Sequence, residues 1–341
     1  MTSENAKRFF ENHSGQKSTE FVTLAQSGSA RVNFLATTDS GKYIVTYNED
    51  IQENESFLYY SEVFSSLDLN TPRILAVSDD RTIYTQEFLG AHTLSDLIAG
   101  EQLSANIKFL VKQTLEKLFR LQMLTKGKID FTKTFEYERY DELPVIHDLY
   151  YFKNFIADVL ELKYNKSTLL KEFKRIAALI ESLEPQGIMI RDFQARNIMV
   201  NAQREVSFID YQSAMRGPLM YDVISFLFQA KANFPEDFKN EMLNYYIQLF
   251  DDPETRARLK NSVHPLQMMR FLQVLGAYGF RGLVQRKQHF MASLEKGIEN
   301  ITGFAASWEQ MSDYPELKKV IEQLSSYKTE QKIKEILNSN H

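Results

Sequence analysis

The chain has no cysteine among its 341 residues. That excludes disulfides and thiolate metal sites and suits a reducing compartment. No apolar run approaches the ~20 residues that a membrane-spanning helix needs. Residues 1–20 lack the apolar core of a secretion signal, so the expectation is a soluble, cytoplasmic protein. Neither sign of charge dominates: 40 Lys and Arg stand against 45 Asp and Glu, for a net charge of −5. The two signs are interspersed, so the basic footprint of a nucleic-acid binder is missing. Internal repeats and low-complexity tracts are missing too. What is present is 43% hydrophobic and 13% aromatic, the composition of a folded globule. The length is enough to bury a large core and normally makes two domains or lobes.

The pattern divides near residue 89. Before it, a short helical segment (5–12) precedes apolar or alternating runs at 21–24, 31–36, 43–47 and 83–88. Turn residues separate these runs, and a helical stretch at about 51–67 interrupts them. From Thr93 onward helical spacing prevails, at 94–99, 104–124, 150–162 and 169–183, with Pro185 ending the last. After Asp222, helices are expected at about 237–249, 254–260, 266–275, 280–296, 299–308 and 314–337. Asp222 itself reads as the N-cap of an apolar helix. The fold class is therefore α+β.

Between the two helical series lies the most informative segment. Asp192, Asn197 and Asp210 each border a short apolar run: 187–190, 198–200 and 206–209. This reads as a loop, a strand, a turn at 201–205 and a returning strand, a hairpin that brings all three residues to one end. Alone, Asp192 is equally a turn residue and Asn197 a cap. Together they suit phosphoryl transfer, which asks for positioning and charge neutralisation. Asp210 and Asn197 offer oxygen ligands to magnesium, and Asp192 offers a carboxylate to orient an acceptor hydroxyl and take its proton.

Asp-x4-Asn with a downstream Asp resembles the catalytic segment of kinases, H-R-D-x4-N and then D-F-G. Here Arg191 precedes Asp192, and Phe208-Ile209 precede Asp210. The continuation Asp210-Tyr211-Gln212-Ser213-Ala214-Met215-Arg216-Gly217-Pro218-Leu219-Met220-Tyr221-Asp222 is similar to the aminoglycoside-phosphotransferase family of small-molecule kinases. Within it, D-(F/Y)-Q-x-A-x-x-G-P-x-x-Y-D resembles the branch that phosphorylates cell-wall amino sugars at the anomeric hydroxyl, the N-acetylmuramate and N-acetylglucosamine kinases. The sharp match covers about 191–225. Ile190 stands where the family usually has the His of H-R-D, a residue that mainly braces the loop. Gln212 replaces the Gly of D-F-G, as it does in the amino-sugar branch.

The resemblance implies a protein-kinase-like two-lobe fold: residues 1–89 as a β-rich, nucleotide-binding N-lobe, and 90–341 as a helical C-lobe carrying the catalytic hairpin and acceptor pocket. It implies ATP or GTP as co-substrate and Mg²⁺ as cofactor. Asp192 becomes the catalytic residue, with Asn197 and Asp210 on the metal, while Arg191 and Arg196 brace the loop. The phosphate cradle falls on Ser27, Gly28 and Ser29, which alone read as an ordinary hairpin turn, and on Arg31. Glu87, Phe88 and Leu89 become the interlobe hinge. A kinase lysine is missing from strand 43–47: Lys42 begins it, and the usual position falls near Thr46 or Asn48. Glu53 and Glu55 on the next helix are the candidate partners, and nucleotide affinity then rests on Arg31 and loop amides.

For the acceptor, the candidates are Asp148, Arg216, Tyr278 and Arg281, with Arg270 nearby. Asp148 can accept from sugar hydroxyls, and an arginine suits the lactyl carboxylate of muramic acid. Gly276, Gly279 and Gly282 put three glycines within seven residues of a chain that has thirteen. They serve either ligand approach or close helix crossing. The expected reaction yields a sugar 1-phosphate, which a downstream nucleotidyltransferase can activate. Two other readings stay open: a nucleotide-binding pseudokinase, and a kinase of this fold for an aminoglycoside, choline or homoserine. Residues 331–335 are mixed in charge and lack the acidic cluster expected for a polycationic drug.

Overall fold

The computed structural model describes residues 2–25, 30–101, 103–287 and 290–338. In chain order the elements are α1 (Thr2–Ser14), β1 (Glu20–Thr23), β2 (Val32–Thr38), β3 (Gly41–Tyr47), α2 (Ile51–Ser66), β4 (Ile74–Val77), β5 (Ile83–Glu87), β6 (His92–Thr93), α3 (Leu94–Glu101) and α4 (Ala105–Leu124). Then follow α5 (Glu142–Phe152), α6 (Lys166–Glu181), β7 (Gln186–Met189), β8 (Ile198–Val200), β9 (Val206–Phe208), β10 (Met215–Pro218) and α7 (Met220–Leu227). The chain continues through α8 (Glu236–Gln248), α9 (Pro253–Tyr278), α10 (Met291–Ser307), α11 (Pro315–Leu324) and α12 (Tyr327–Asn338). It divides into two compact units, 1–138 with 190–215, and 139–189 with 216–341.

In the first unit, five antiparallel strands run in the order β1-β2-β3-β5-β4. Alternation sends Phe34, Ala36, Val45 and Ile83 to one side, where Ala6 and Phe10 of α1 complete a core. Asp50 caps α2 by accepting from Glu53 N at 3.1 Å. The buried side of α2 carries Phe57, Tyr60 and Phe64. A second small sheet, β6-β8-β9, carries the hairpin, with Ile198 opposite Phe208 and Val200 opposite Val206. Strands β4 and β6 escape the alternation rule because each is short and owes its extended form to its neighbour, β5 or β8.

The second unit is almost wholly helical. The helix expected to start at 150 begins at Glu142, where Asp141 caps Leu143 N at 3.2 Å. It then passes into a wider π-turn, Lys153–Asp158, which an ion pair between those two residues closes at 2.6 Å. The expected helices 254–260 and 266–275 are one helix, α9, which also ends in a π-turn, Gly279–Val284. Pro265 does not break α9, although an interior proline costs about 3 kcal/mol. Leu259, Val263, Leu266 and Met269 bury side chains on both sides of it and outweigh that cost. Asp222 lies inside the first turn of α7 and is fully buried, so it does not cap that helix. Among the described residues, no helix is long and apolar enough to cross a membrane.

Candidate active site

The hairpin places its polar residues by backbone bonding. Ile209 N donates to Asn197 O at 3.0 Å, which brings the residue before Asp210 alongside Asn197. Arg191 and Asp210 both have left-handed backbones, with φ of 69° and 65°. For residues with a side chain this costs roughly 1–2 kcal/mol each, and local bonds hold both in place. Arg191 pairs with Glu136 at 2.6 Å and lies over the Tyr137 ring. It braces the loop. Ile190, in the histidine position, is buried at 1% exposure.

Asp192 is fixed from three sides. Gln194 Nε2 donates to its Oδ1, Arg196 Nη2 to its Oδ2 at 2.9 Å, and Asn197 Nδ2 to its carbonyl oxygen at 2.9 Å. Its side chain keeps 34% exposure, so the carboxylate is oriented yet open to an incoming group. Asn197 is buried with its amide nitrogen spent on Asp192. Among the described residues, Asn197 Oδ1 and Asp210 Oδ2 take no hydrogen bond.

Arg31 brings a cation into this cluster. Its guanidinium donates to Asp210 Oδ1, reaches Gln212 Oε1 at 3.1 Å, and lies 3.3 Å from Glu53 Oε1. Burial alone would lower the guanidinium pKa, but Asp210, Tyr84 and Glu53 outweigh it and hold the pKa above the ordinary arginine value. Burial pushes the Tyr84 hydroxyl up to about 12, so it stays neutral beside this charge. Thr46 and Asn48 occupy the strand positions where a lysine is absent. Thr46 Oγ1 donates to Asn33 Oδ1 at 2.8 Å, and Asn48 Nδ2 holds Glu53 Oε2 at 2.7 Å. Glu55, the other candidate partner, pairs with Arg81 on the exposed side of α2.

Gln212 ties this cluster together. Its Nε2 donates to Asp210 Oδ1 at 3.2 Å, and its carbonyl oxygen accepts from Ser56 Oγ at 2.7 Å. Next to it, Tyr211 is fully buried against Phe57 and Phe64, its hydroxyl 2.7 Å from Ser61 Oγ. The bracing by Asn48, Gln194 and Gln212 has little signature in spacing; the departure of Gln212 from the D-F-G pattern is its one sign in the sequence.

Also in this unit is a cleft of about 790 Å³, lined by Glu87, Phe88, Leu89, Lys42, Val200 and Ser207 among others. Gly90 permits its floor: with φ of +138°, a Cβ there would lie 2.7 Å from Val200 O. Lys42 is exposed on the rim, 5.8 Å from the Phe88 ring centre. Ser27, Gly28 and Ser29 lie outside the described residues.

The four acceptor candidates belong to the second unit. Asp148 sits inside α5, buried, and accepts from Tyr140 Oη at 2.9 Å. Arg216 is exposed on β10 and bridges to Arg139. Tyr278 is half-buried near the Phe290 ring, and the Arg281 guanidinium lies 5.3 Å from that ring's centre. Gly276 and Gly279 serve helix crossing: a Cβ would meet Phe152 N at 2.7 Å and Phe155 O at 2.3 Å.

Residues 22–260 match the model of the phosphotransferase enzyme family, APH. An N-acetylmuramate/N-acetylglucosamine kinase of Neisseria meningitidis is 24% identical over 233 residues, covering 67% of this chain and 66% of the relative. A protein of the same name from Pseudomonas aeruginosa is 27% identical over 194 residues, 56% of this chain and 54% of that one. The chain thus spans between about half and two thirds of the curated relatives it matches. Among solved structures, the choline kinase LicA of Streptococcus pneumoniae superposes with a TM-score of 0.60 at 15% identity, over 89% of this chain and 100% of that one. An aminoglycoside phosphotransferase in ternary complex with ADP and hygromycin B gives the same TM-score, identity and coverage. An ethanolamine kinase of Plasmodium vivax gives 0.57 at 15%, over 84% and 81% of the two chains. At those identities the likeness establishes the kinase-like fold. With residues 22–260, most of the chain, matching the family model, this chain belongs to the phosphotransferase enzyme family.

Proposed function

We propose that the protein transfers the γ-phosphate of ATP or GTP to the anomeric hydroxyl of N-acetylmuramate or a related amino sugar. The choice of acceptor is carried by one observation: both curated relatives are named for N-acetylmuramate and N-acetylglucosamine, while the anomeric position rests on the resemblance of the 210–222 motif. The reaction is supported by the cluster at the hairpin end. Asp192, held by Gln194, Arg196 and Asn197, orients the acceptor hydroxyl and takes its proton as the oxygen attacks phosphorus. Arg31, shared by Asp210, Glu53 and Gln212, sets a positive charge beside the carboxylate expected to face the phosphates. The cleft walled by Glu87, Phe88 and Leu89 is assigned to the nucleobase, and Arg31 to the phosphates.

The oxygen donors suit magnesium. Among the described residues no three carboxylate or histidine groups cluster, but this ion usually takes only one or two protein ligands and prefers oxygen. Asp210 Oδ2 and Asn197 Oδ1, which take no hydrogen bond among the described residues, would hold it. Magnesium bound there supplies charge neutralisation to the phosphate oxygens. Asp148, Arg216, Tyr278 and Arg281 are proposed for the acceptor.

The test is a panel of N-acetylmuramate, N-acetylglucosamine, choline, homoserine and an aminoglycoside, each with ATP and GTP and read by phosphorus NMR. An anomeric phosphate on the amino sugars is expected. Asp192→Asn keeps an acceptor for Arg196 and lowers turnover by about 100- to 10,000-fold with little change in melting temperature. Wild-type-like turnover in that variant would remove Asp192 from the chemistry. Nucleotide-dependent stabilisation with no transfer to any member of the panel would favour a pseudokinase.

A further inference from the structure

Arg270 is 7% exposed, yet its guanidinium has only a neutral partner among the described residues, Gln273 Oε1. Among the described residues, no carboxylate lies within ion-pairing distance of it. Burial removes most of the hydration of a cation, and here no counter-charge among the described residues offsets that loss; the nitrogens left unbonded are not among the fully buried polar atoms, so they remain reachable. Three residues apart on α9, Arg270 and Gln273 share a helix face. Gln273 Oε1 also accepts from Tyr221 Oη at 3.2 Å, while Gln273 Nε2 and the rest of the guanidinium fork have no acceptor among the described residues. Among the described residues, the pair thus offers several donors and a single protein acceptor, Gln273 Oε1.

Its surroundings within the second unit are polar and built. Tyr221 of α7 meets the edge of Tyr140 at 5.2 Å, and Tyr140 Oη donates to the buried Asp148 of α5. Asp148 is not ion-paired with Arg270. The other two candidate arginines have simpler explanations: Arg216 is exposed, and Arg281 is stacked on Phe290.

Resting on the amino-sugar reading above, the structure assigns Arg270, with Gln273, as the residue that recognises an acceptor's carboxylate, and so makes the preferred substrate a carboxylate-bearing sugar. A planar guanidinium matches a carboxylate with two parallel hydrogen bonds, and the ligand supplies the counter-charge that the fold withholds.

The experiment uses the full chain and two pairs of sugars. N-acetylmuramate and N-acetylglucosamine differ by the lactyl ether with its carboxylate; N-acetylmuramate and its methyl ester differ by that charge and one methyl group. With unaltered protein, the ester is expected to lose at least about tenfold in kcat/KM. In Arg270→Gln, kcat/KM for N-acetylmuramate falls about 10- to 100-fold, while that for N-acetylglucosamine stays within about threefold. Arg270→Lys, which keeps the charge and loses the fork, falls between. Equal use of acid and ester by unaltered protein overturns the assignment without touching the kinase reading, even if no variant folds. Equal losses on both sugars, or a rise in the nucleotide KM, also overturn it. If unaltered protein phosphorylates neither sugar, the amino-sugar reading fails and takes this one with it.

Discussion

A lysine on the third strand would reach its helix glutamate from within the sheet; here that task is divided. Asn48 holds Glu53 from the end of β3, and Arg31 reaches the same carboxylate from just before β2 while also binding Asp210. Divided this way, the charge depends on one residue outside a regular strand. Arg31→Met should therefore act on the nucleotide side. Charged hydrogen bonds contribute about 1.5–3 kcal/mol each, so kcat/KM for the nucleotide should fall by about 10- to 100-fold, with the acceptor KM nearly unchanged. Arg31→Lys should recover part of that loss. With Arg31, Glu53 and Asp210 only 12%, 15% and 26% exposed, the variant leaves two largely buried carboxylates without their cation, and stability should fall by roughly 3 kcal/mol. Nucleotide kinetics that ignore the substitution would return the cation's role to Lys42. Arg31 and Glu53 were legible as types of residue in plausible places. Their pairing was not, because it depends on tertiary approach across the sheet edge, which spacing along the chain does not encode.

Two π-turns, one after α5 and one after α9, face each other through glycine. At Gly279 a methyl group would stand 2.3 Å from Phe155 O and 2.6 Å from Ile156 Cδ1, and the backbone carbonyl has little freedom to move. Gly303, in the interior of α10, has nothing within 4 Å of the same added atom. The same substitution should therefore act with opposite signs. Gly279→Ala should destabilise by about 1–3 kcal/mol, as overpacked sites do, and Gly303→Ala should stabilise by up to about 1 kcal/mol through helix propensity. Denaturant titration of both variants decides it; a neutral Gly279→Ala would mean that the helices part easily. The glycine trio was visible in the sequence as a choice between ligand approach and packing. Periodicity alone misplaced the neighbouring helix ends, because Pro265 reads as a stop and the π-turns break the 3.6-residue rhythm. The hairpin at 198–208 was legible because two apolar runs and a polar turn suffice to specify it.

The chain builds its first unit from two separated stretches, and the later one is structural as well as chemical. Residues 190–215 insert Tyr211 between Phe57 and Phe64 and give Ser56, Tyr60 and Ser61 their hydrogen-bond partners, through Gln212 O, Ala214 O and the Tyr211 hydroxyl. Without that stretch, a fragment of residues 1–138 would leave the Ser56 and Tyr60 hydroxyls without their acceptors, at about 1–3 kcal/mol each, leave Ser61 only its bond to Phe57 O, and expose two aromatic faces. A whole domain has only about 5–15 kcal/mol of stability to lose. The fragment 1–138 should therefore show no cooperative thermal transition by circular dichroism. The remedy follows from where the stretch begins: Arg191 pairs with Glu136 and lies over Tyr137, so the ends at 138 and 190 are close in space. Joining 1–138 to 190–215 through a short Gly-Ser linker should restore a cooperative transition, and ATP or GTP with magnesium should raise its midpoint. A cooperative, nucleotide-responsive melt in 1–138 alone would show instead that the sheet and α2 fold without the hairpin segment.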